Sequence, residues 1–163
     1  MNSSDRRHVL HELGSLWFAA VTLVLFAGAV VTGWRGRRRA HFVLAPLAIA
    51  MLACTRIGAP HSIVFGGFSS EAIRDRILDA GCRIVVTANE GLRGGKKIKL
   101  KKMVDRAVEG LDMVKTVLVA RRTDAETDMK AGRDYWLDEE VRKQRATCTV
   151  EWMGAEDPLF ILY

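Results

Sequence analysis

A glycine-rich turn followed by a run of basic residues is the part of this sequence best suited to chemistry. The turn reads GLRGGKK at residues 91–97, and positive charges continue to residue 102 with no acidic residue among them. Glycines let backbone N–H groups approach an anion closely, arginine can donate paired hydrogen bonds to a phosphate, and lysine adds a point charge. A phosphate site on this turn would comprise Arg93, Gly94, Gly95 and Lys96.

The spacing of these glycines does not by itself identify a ligand. It matches neither the G-x-x-x-x-G-K-[ST] phosphate loop nor the G-x-G-x-x-G dinucleotide fingerprint. A run of charges is most often a solvated surface, so a phosphate, a nucleic acid and water alone all remain as interpretations. The distribution of the net charge of +6 weakens the nucleic-acid interpretation. Residues 1–45 hold six basic and two acidic residues and therefore carry most of the excess positive charge. A nucleic-acid surface needs a broader basic face, and we expect no nucleic-acid partner.

A second segment with recognition chemistry is FGGF at residues 65–68. Phe65 and Gly67 could present an aromatic ring and an open backbone to a flat base. The alternative is a tight turn whose phenylalanines face the core. Elsewhere the four histidines have no metal-ligand spacing and the three cysteines form no C-x-x-C pair, so we predict neither a metal site nor a disulfide.

The elements that must position these segments follow an α/β pattern. Apolar runs alternate with amphipathic segments, which predicts βαβ units and a parallel sheet. Ligands of open parallel sheets bind beyond the carboxyl ends of the strands, where the glycine-basic turn would lie. The predicted strands are 61–67, 82–88, 114–120 and 158–163; the predicted helices are 46–58, 69–81 and 99–111; residues 121–134 are predicted to be a loop.

The front of the chain has a different character. Residues 13–34 form an uncharged run that is long enough for a membrane-spanning helix. Tryptophans lie near both ends of this span, and RGRRR at 35–39 predicts a cytoplasmic C-terminal side. A signal peptide cleaved after AGA at 27–29 is one alternative. Another is that the front segment does not belong with the rest of the chain.

Four separated stretches carry a family resemblance. They are AMLACTRIGAPHSIVFGGFSSEAI at 50–73, VVTANEGLRGGKKIKLKK at 85–102, AGRDYW at 131–136 and MGAEDPLFILY at 153–163. Together, and in this order, they resemble AMP-forming acetyl-CoA synthetase (acetate–CoA ligase), of the adenylate-forming superfamily. The resemblance runs from about residue 46 to 163, and nothing in residues 1–41 shares it. It implies that residues 42–163 are a partial parallel-sheet subdomain of the family's N-terminal AMP-binding domain. The apolar span 13–34, and not the resemblance, predicts a transmembrane helix before this subdomain.

The resemblance also implies a ligand for the glycine-basic turn. In the family, residues at the positions of Arg93 and Lys96 hold the 3′-phosphate of coenzyme A, and residues at the positions of Phe65 and Gly67 contact its adenine. Family members often have arginine at the second basic position. Lysine keeps the charge but loses the paired hydrogen bonds, so a weaker phosphate contact is expected here.

This chain differs from the family pattern at the point where the residues for ligase chemistry would follow. In the family, DPLFILY leads into a phosphate loop that grips ATP, and the Mg²⁺ ligand and catalytic lysine come later. We therefore expect an inactive part of a ligase with a partial coenzyme A site and no catalytic residue. The family is cytoplasmic. If residues 1–41 are genuine, the alternative is a single-pass membrane-anchored module that binds coenzyme A or a nucleotide without catalysis.

Overall fold

The computed structural model describes residues 22–26, 49–93 and 95–163. These residues form an α/β fold with a six-stranded sheet in the order β7-β6-β3-β1-β2-β8 and a separate two-stranded hairpin, β4-β5. Every neighbouring pair in the large sheet is parallel, which confirms the prediction of a parallel sheet. The strands are β1 Thr22–Phe26, β2 His61–Phe65, β3 Ile84–Ala88, β4 Gly91–Arg93, β5 Lys96–Ile98, β6 Thr116–Ala120, β7 Asp134–Trp136 and β8 Phe160–Ile161.

Four helical segments accompany the strands. Residues 49–56 are helical (α1), and the others are α2 Ser70–Asp79, α3 Leu100–Ala107 and α4 Leu137–Arg142. The ends of α2 follow local signals: the Ser69 hydroxyl accepts a hydrogen bond from the Ala72 N–H at 3.2 Å, and Gly81 adopts φ +63° just beyond the helix. A serine N-cap and a left-handed glycine beyond the C-cap are the usual terminators of a helix, so this predicted helix is confirmed.

The core lies where α2 and α3 cover the strands β3 and β6. Ile73 and Ile77 of α2 and Val104 of α3 are at most 1% exposed. Val85 of β3 and Val117 and Val119 of β6 are fully buried beneath them. A parallel sheet covered in this way has apolar residues along its central strands, which explains the near-continuous valine runs. The packing fixes the carboxyl ends of β3 and β6 and therefore the turns that leave them.

The strands β1, β4, β5 and β7 were not predicted from the sequence. The short strand β7 and the helix α4 follow the polar loop, where no sustained apolar period is present. β7 extends the sheet beyond β6, with Val117 paired to Asp134. It therefore places Trp136 beside the residues that follow β6.

The predicted membrane helix requires a correction. Residues 22–26 form β1, a strand between β2 and β3, with Thr22 paired to His61 on one side and to Ile84 on the other. A helix over these five residues is therefore wrong, because their backbone pairs along the central sheet. The remainder of the 13–34 span lies outside the described residues. Within the residues that are described, no helix has the length and apolar character needed to cross a bilayer.

Candidate functional site

The candidate site lies beyond the carboxyl edge of the parallel sheet. β2 ends at Phe65 and leads into the FGGF turn, whereas β3 ends at Ala88 and leads into the hairpin that contains GLRGGKK. Only β1 separates these two strands in the sheet, so their ends lie two strand spacings apart, roughly 10 Å. A nucleotide can bridge that separation. The two segments singled out from the sequence therefore belong to one edge.

The glycine-basic turn is a tight antiparallel hairpin. Arg93 is paired directly with Lys96, Leu92 with Lys97, and Gly91 with Ile98. In an antiparallel pair, directly opposed residues have Cβ atoms about 4.5–5.5 Å apart. The two candidate phosphate ligands thus occupy facing positions next to the turn, close enough to share one anion. Lys96 is exposed.

The glycine at the tip of this hairpin is required by its backbone. Gly95 adopts φ +78°, a left-handed conformation that side chains disfavour. A Cβ atom added there would meet nothing within 4 Å, so the space over the turn is open to a ligand. Gly94, the other predicted glycine, lies outside the described residues.

The basic run does not contribute all of its charges to this surface. Lys97, Lys99 and Lys102 are exposed, but Lys101 is 3% exposed and its ammonium group is paired inside the protein. The Lys101 Nζ atom lies 2.7 Å from the Asp105 carboxylate and 2.7 Å from that of Asp134. Its charge therefore anchors α3 and is not available to a ligand.

The carboxylate of Asp134 is the centre of that internal network. Burial alone would raise the pKa of Asp134, but hydrogen bonds from Arg133 and Lys101 outweigh it and hold the pKa below its usual value. The Arg133 guanidinium contacts Asp134 at 2.5 Å and Asp105 at 2.5 Å. The hydrogen bond to Asp134 raises the pKa of Arg133. The network joins the start of β7 to α3, directly after the hairpin.

The aromatic turn presents its rings to the surface. Phe65 is 60% exposed and Phe68 is 39% exposed, so the alternative of two core-facing phenylalanines is wrong. The Arg76 guanidinium lies 4.6 Å from the centre of the Phe68 ring and 5.2 Å from that of Tyr163. Gly67 has φ 152°, which a residue with a side chain rarely adopts. Phe65, at the end of β2, is the more exposed of the two rings and lies at the carboxyl edge of the sheet.

A buried polar cluster fixes the base of the hairpin, and sequence reasoning did not find it. Asn89 and Glu90, which follow β3, are 3% and 5% exposed. The Asn89 amide donates to the Thr123 carbonyl oxygen at 2.8 Å, and the Thr123 hydroxyl donates to a Glu90 carboxylate oxygen at 2.8 Å. These bonds join the segment after β3 to the segment after β6. No spacing rule pairs residues 33 or 34 positions apart, although the polar NE pair directly after an apolar strand was a signal.

The described residues hold no group of three His, Cys, Asp or Glu side chains able to bind a metal ion. The buried thiol of Cys82 lies in the core, and its burial raises its pKa to about 12. His61 is buried at the start of β2, and burial lowers its pKa. The cation-rich hairpin and the aromatic turn are therefore the groups with binding chemistry at this edge.

Comparison with known proteins identifies the family. Residues 44–163 match the family model of the AMP-binding enzyme, so the chain belongs to that family. It is 59% identical over 116 residues to acetyl-coenzyme A synthetase 2 of Pseudomonas putida, covering 71% of this chain and 18% of that protein. It is also 56% identical over 122 residues to acetyl-coenzyme A synthetase of Pasteurella multocida, covering 74% and 19%. The chain thus spans about a fifth of the length of these relatives.

A solved structure supports the fold. The acetoacetyl-CoA synthetase from Streptomyces lividans superimposes with a TM-score of 0.64 over 94% of this chain and 21% of that one. The sequence identity is 17%, so this likeness concerns the fold alone. It agrees with the parallel α/β architecture predicted from the sequence.

Proposed function

We propose that this chain carries the part of an acetate–CoA ligase that binds the nucleotide end of coenzyme A. The observation that carries the proposal is the direct pairing of Arg93 with Lys96 beside a left-handed glycine at the carboxyl edge of the sheet. This hairpin lies within the region that matches the AMP-binding enzyme model. Acetyl-coenzyme A synthetases are the relatives with 56% and 59% identity to the chain.

The hairpin suits the 3′-phosphate of coenzyme A. A guanidinium donates paired hydrogen bonds to phosphate oxygens, and an ammonium adds charge from the opposite strand. The open space over Gly95 lets the backbone approach the same anion. Lysine at position 96 makes this a weaker phosphate clamp than two arginines would be.

The aromatic turn suits the adenine. Phe65 is exposed at the end of β2, on the other side of β1 from β3, and Gly67 two residues later has no side chain to cover its backbone. An aromatic ring gains from stacking on a planar base. The ligand in this proposal therefore lies across the end of β1, with its phosphate at the hairpin and its base at the turn.

The ligase reaction belongs to the proposal for the complete enzyme, not for these 163 residues. That reaction converts acetate, ATP and coenzyme A to acetyl-CoA, AMP and diphosphate, with Mg²⁺ bound to the ATP. For this chain we propose coenzyme A binding without catalysis, by a family region that begins at about residue 42 together with the strand β1, which lies in the same sheet. We propose that it acts in the cytoplasm.

The test is a calorimetric titration of the full chain with coenzyme A and with dephospho-CoA, which lacks the 3′-phosphate. We expect coenzyme A to bind at least about tenfold more tightly than dephospho-CoA, because a charge-assisted hydrogen bond contributes about 1.5–3 kcal/mol. Arg93→Ala and Lys96→Ala should each reduce that preference. Lys96→Arg should increase it, because the paired hydrogen bonds are restored.

Lys97→Ala is the matched control. It removes the same charge one residue away, at a position paired with Leu92 and not with Arg93. Successive residues of a strand point to opposite faces, so the preference for coenzyme A should survive this change. Equal affinities of the parent chain for both ligands would refute the proposal, as would equal losses in the Lys96→Ala and Lys97→Ala variants.

A further inference from the structure

An open cavity of about 360 Å³ lies past the carboxyl end of β6 and is lined by none of the residues of the proposed coenzyme A site. That volume is within the range of small-molecule sites, about 300–1,000 Å³. The cavity lies between the loop that follows β6 and the end of β7. It is lined by Arg121, Arg122, Thr123, Asp124, Ala125 and Trp136.

The first of the two arginines already has partners. The Arg121 guanidinium lies 4.2 Å from the centre of the Trp136 ring, its Nε atom is 3.4 Å from Asp138, and Nη2 contacts Glu139. Two carboxylates and an aromatic face therefore compensate its charge. This stacking also fixes Trp136 as a wall of the cavity.

The second arginine is different. Arg122 is half-buried, and its Nη1 atom is buried without a hydrogen-bond partner among the residues that the structure describes. Burial lowers the pKa of Arg122, yet a guanidinium stays charged at any ordinary pH. Buried donors in proteins are almost always paired, and an unpaired one calls for a specific explanation such as a bound ion.

The loop that carries Arg122 is anchored by hydrogen bonds to the segment that follows β3. The side-chain oxygen of Asn89 accepts hydrogen bonds from the backbone N–H groups of Arg122, at 3.0 Å, and of Thr123, at 3.4 Å. The Thr123 hydroxyl is engaged with Glu90. These groups are used within the protein, whereas the Nη1 atom of Arg122 has no partner among the described residues, and the loop that carries it is preorganised.

We propose that this cavity binds a small oxyanion, a carboxylate or a phosphate group, on the guanidinium of Arg122. The planar fork of arginine matches both groups through two parallel hydrogen bonds. Asp124 on the same wall opposes a large negative charge, so a singly charged anion binds better than a multiply charged one. This site is independent of the coenzyme A proposal, because it shares none of that site's residues.

The test is an NMR titration of the full ¹⁵N-labelled chain with sodium phosphate, sodium formate and sodium chloride at matched ionic strength. We expect saturable shifts of the amides of residues 121–125 and of the Trp136 indole N–H with phosphate, formate or both. Formate and phosphate identify which of the two groups the cavity takes. Shifts that are equal in all three salts, or that do not saturate, would overturn the proposal.

Two substitutions of Arg122 and one control complete the test. Arg122→Gln should weaken binding about tenfold or more, as expected for the loss of a charge-assisted hydrogen bond. Arg122→Lys, which keeps the charge, should also bind more weakly because the fork is lost, and it serves if the glutamine variant does not fold. Arg145→Gln removes the same charge from an exposed position and should leave binding unchanged. Unchanged affinity in both Arg122 variants, or equal losses in the Arg122→Gln and Arg145→Gln variants, would refute the assignment.

Discussion

Two adjacent lysines of the basic run, Lys101 and Lys102, should respond in opposite ways to the same substitution. Lys101 is 3% exposed and contacts Asp105 and Asp134 at 2.7 Å each, whereas Lys102 is exposed. Lys101→Met removes a cation from between two carboxylates, and Lys102→Met removes the same charge from the surface. We expect the first change to destabilise the fold strongly and the second to have no measurable effect.

The magnitude follows from what remains after the substitution. Removing one partner of a buried ion pair costs about 3–5 kcal/mol, because the other charge is left buried. Here Arg133 still contacts both carboxylates, at 2.5 Å each, and the Lys130 backbone N–H still donates to Asp134 at 2.8 Å. Those contacts limit the penalty, so we expect the lower end of the range, about 3 kcal/mol. The lost Lys101 hydrogen bond to the Asp128 carbonyl oxygen is part of that figure.

The assay is urea denaturation of the full chain, followed by circular dichroism. The Lys101→Met variant should unfold at a lower urea concentration with an unchanged slope, which indicates a loss of stability and not a less compact unfolded state. Lys102→Met should coincide with the parent. Equal midpoints for both variants would refute the structural distinction between these lysines, and so would equal destabilisation.

The pH dependence provides a second readout. The pKa of Asp134 is depressed in the folded protein, so its contribution to stability is present above the unfolded pKa of about 3.9 and is lost as the pH falls through the folded value. Without Lys101 the folded pKa of Asp134 should rise towards its unfolded value, so the variant should lose less stability to acid than the parent chain does. The stability difference between parent and Lys101→Met should therefore narrow below about pH 4. A difference that stays constant down to pH 2 would contradict this linkage.

Three further changes test the core, the thiols and the hairpin. Ile77→Ala, at a fully buried position, should cost about 2–5 kcal/mol in urea unfolding, whereas its half-exposed neighbour Leu78→Ala should cost clearly less; equal losses would contradict the placement of α2. An aromatic disulfide reagent at pH 8 should label exposed Cys148 at once, whereas Cys82, whose pKa burial raises to about 12, should react only on unfolding; rapid labelling of Cys82 would contradict its burial. Gly95→Ala should strain the hairpin by about 1–2 kcal/mol and weaken coenzyme A binding, and unchanged affinity in calorimetry would show that the φ of +78° is not needed.

The sequence predicted the elements whose signals are local. The serine before α2 and the glycine after it mark that helix without reference to the rest of the chain, and the valine runs of β3 and β6 indicate covered parallel strands. The strands proved shorter than the apolar runs. This difference arises because a run is read from side chains, whereas a strand ends where its backbone pairing ends.

The parts that could not be predicted depend on partners distant in sequence. Lys101 is one of several lysines in the basic run, and nothing near it shows that its charge is satisfied by Asp134, 33 positions later. The pairing of Arg93 with Lys96 depends on a two-residue turn whose glycines do not match a known phosphate fingerprint. The family resemblance supplied the ligand for these residues, and the hairpin supplied a geometry that suits it.

The strand β1 shows why apolar length alone misleads. A charge-free run long enough to cross a bilayer also contains five-residue segments indistinguishable from a buried parallel strand, since both are continuously apolar. The backbone decides between them: residues 22–26 have neighbours on both sides, β2 and β3, whose ends form the two halves of the proposed coenzyme A site. Removal of this strand would separate those halves. Coenzyme A binding must therefore be measured on the full chain, and a preference for coenzyme A that persisted undiminished after deletion of residues 1–41 would show that β1 does not hold the two halves together.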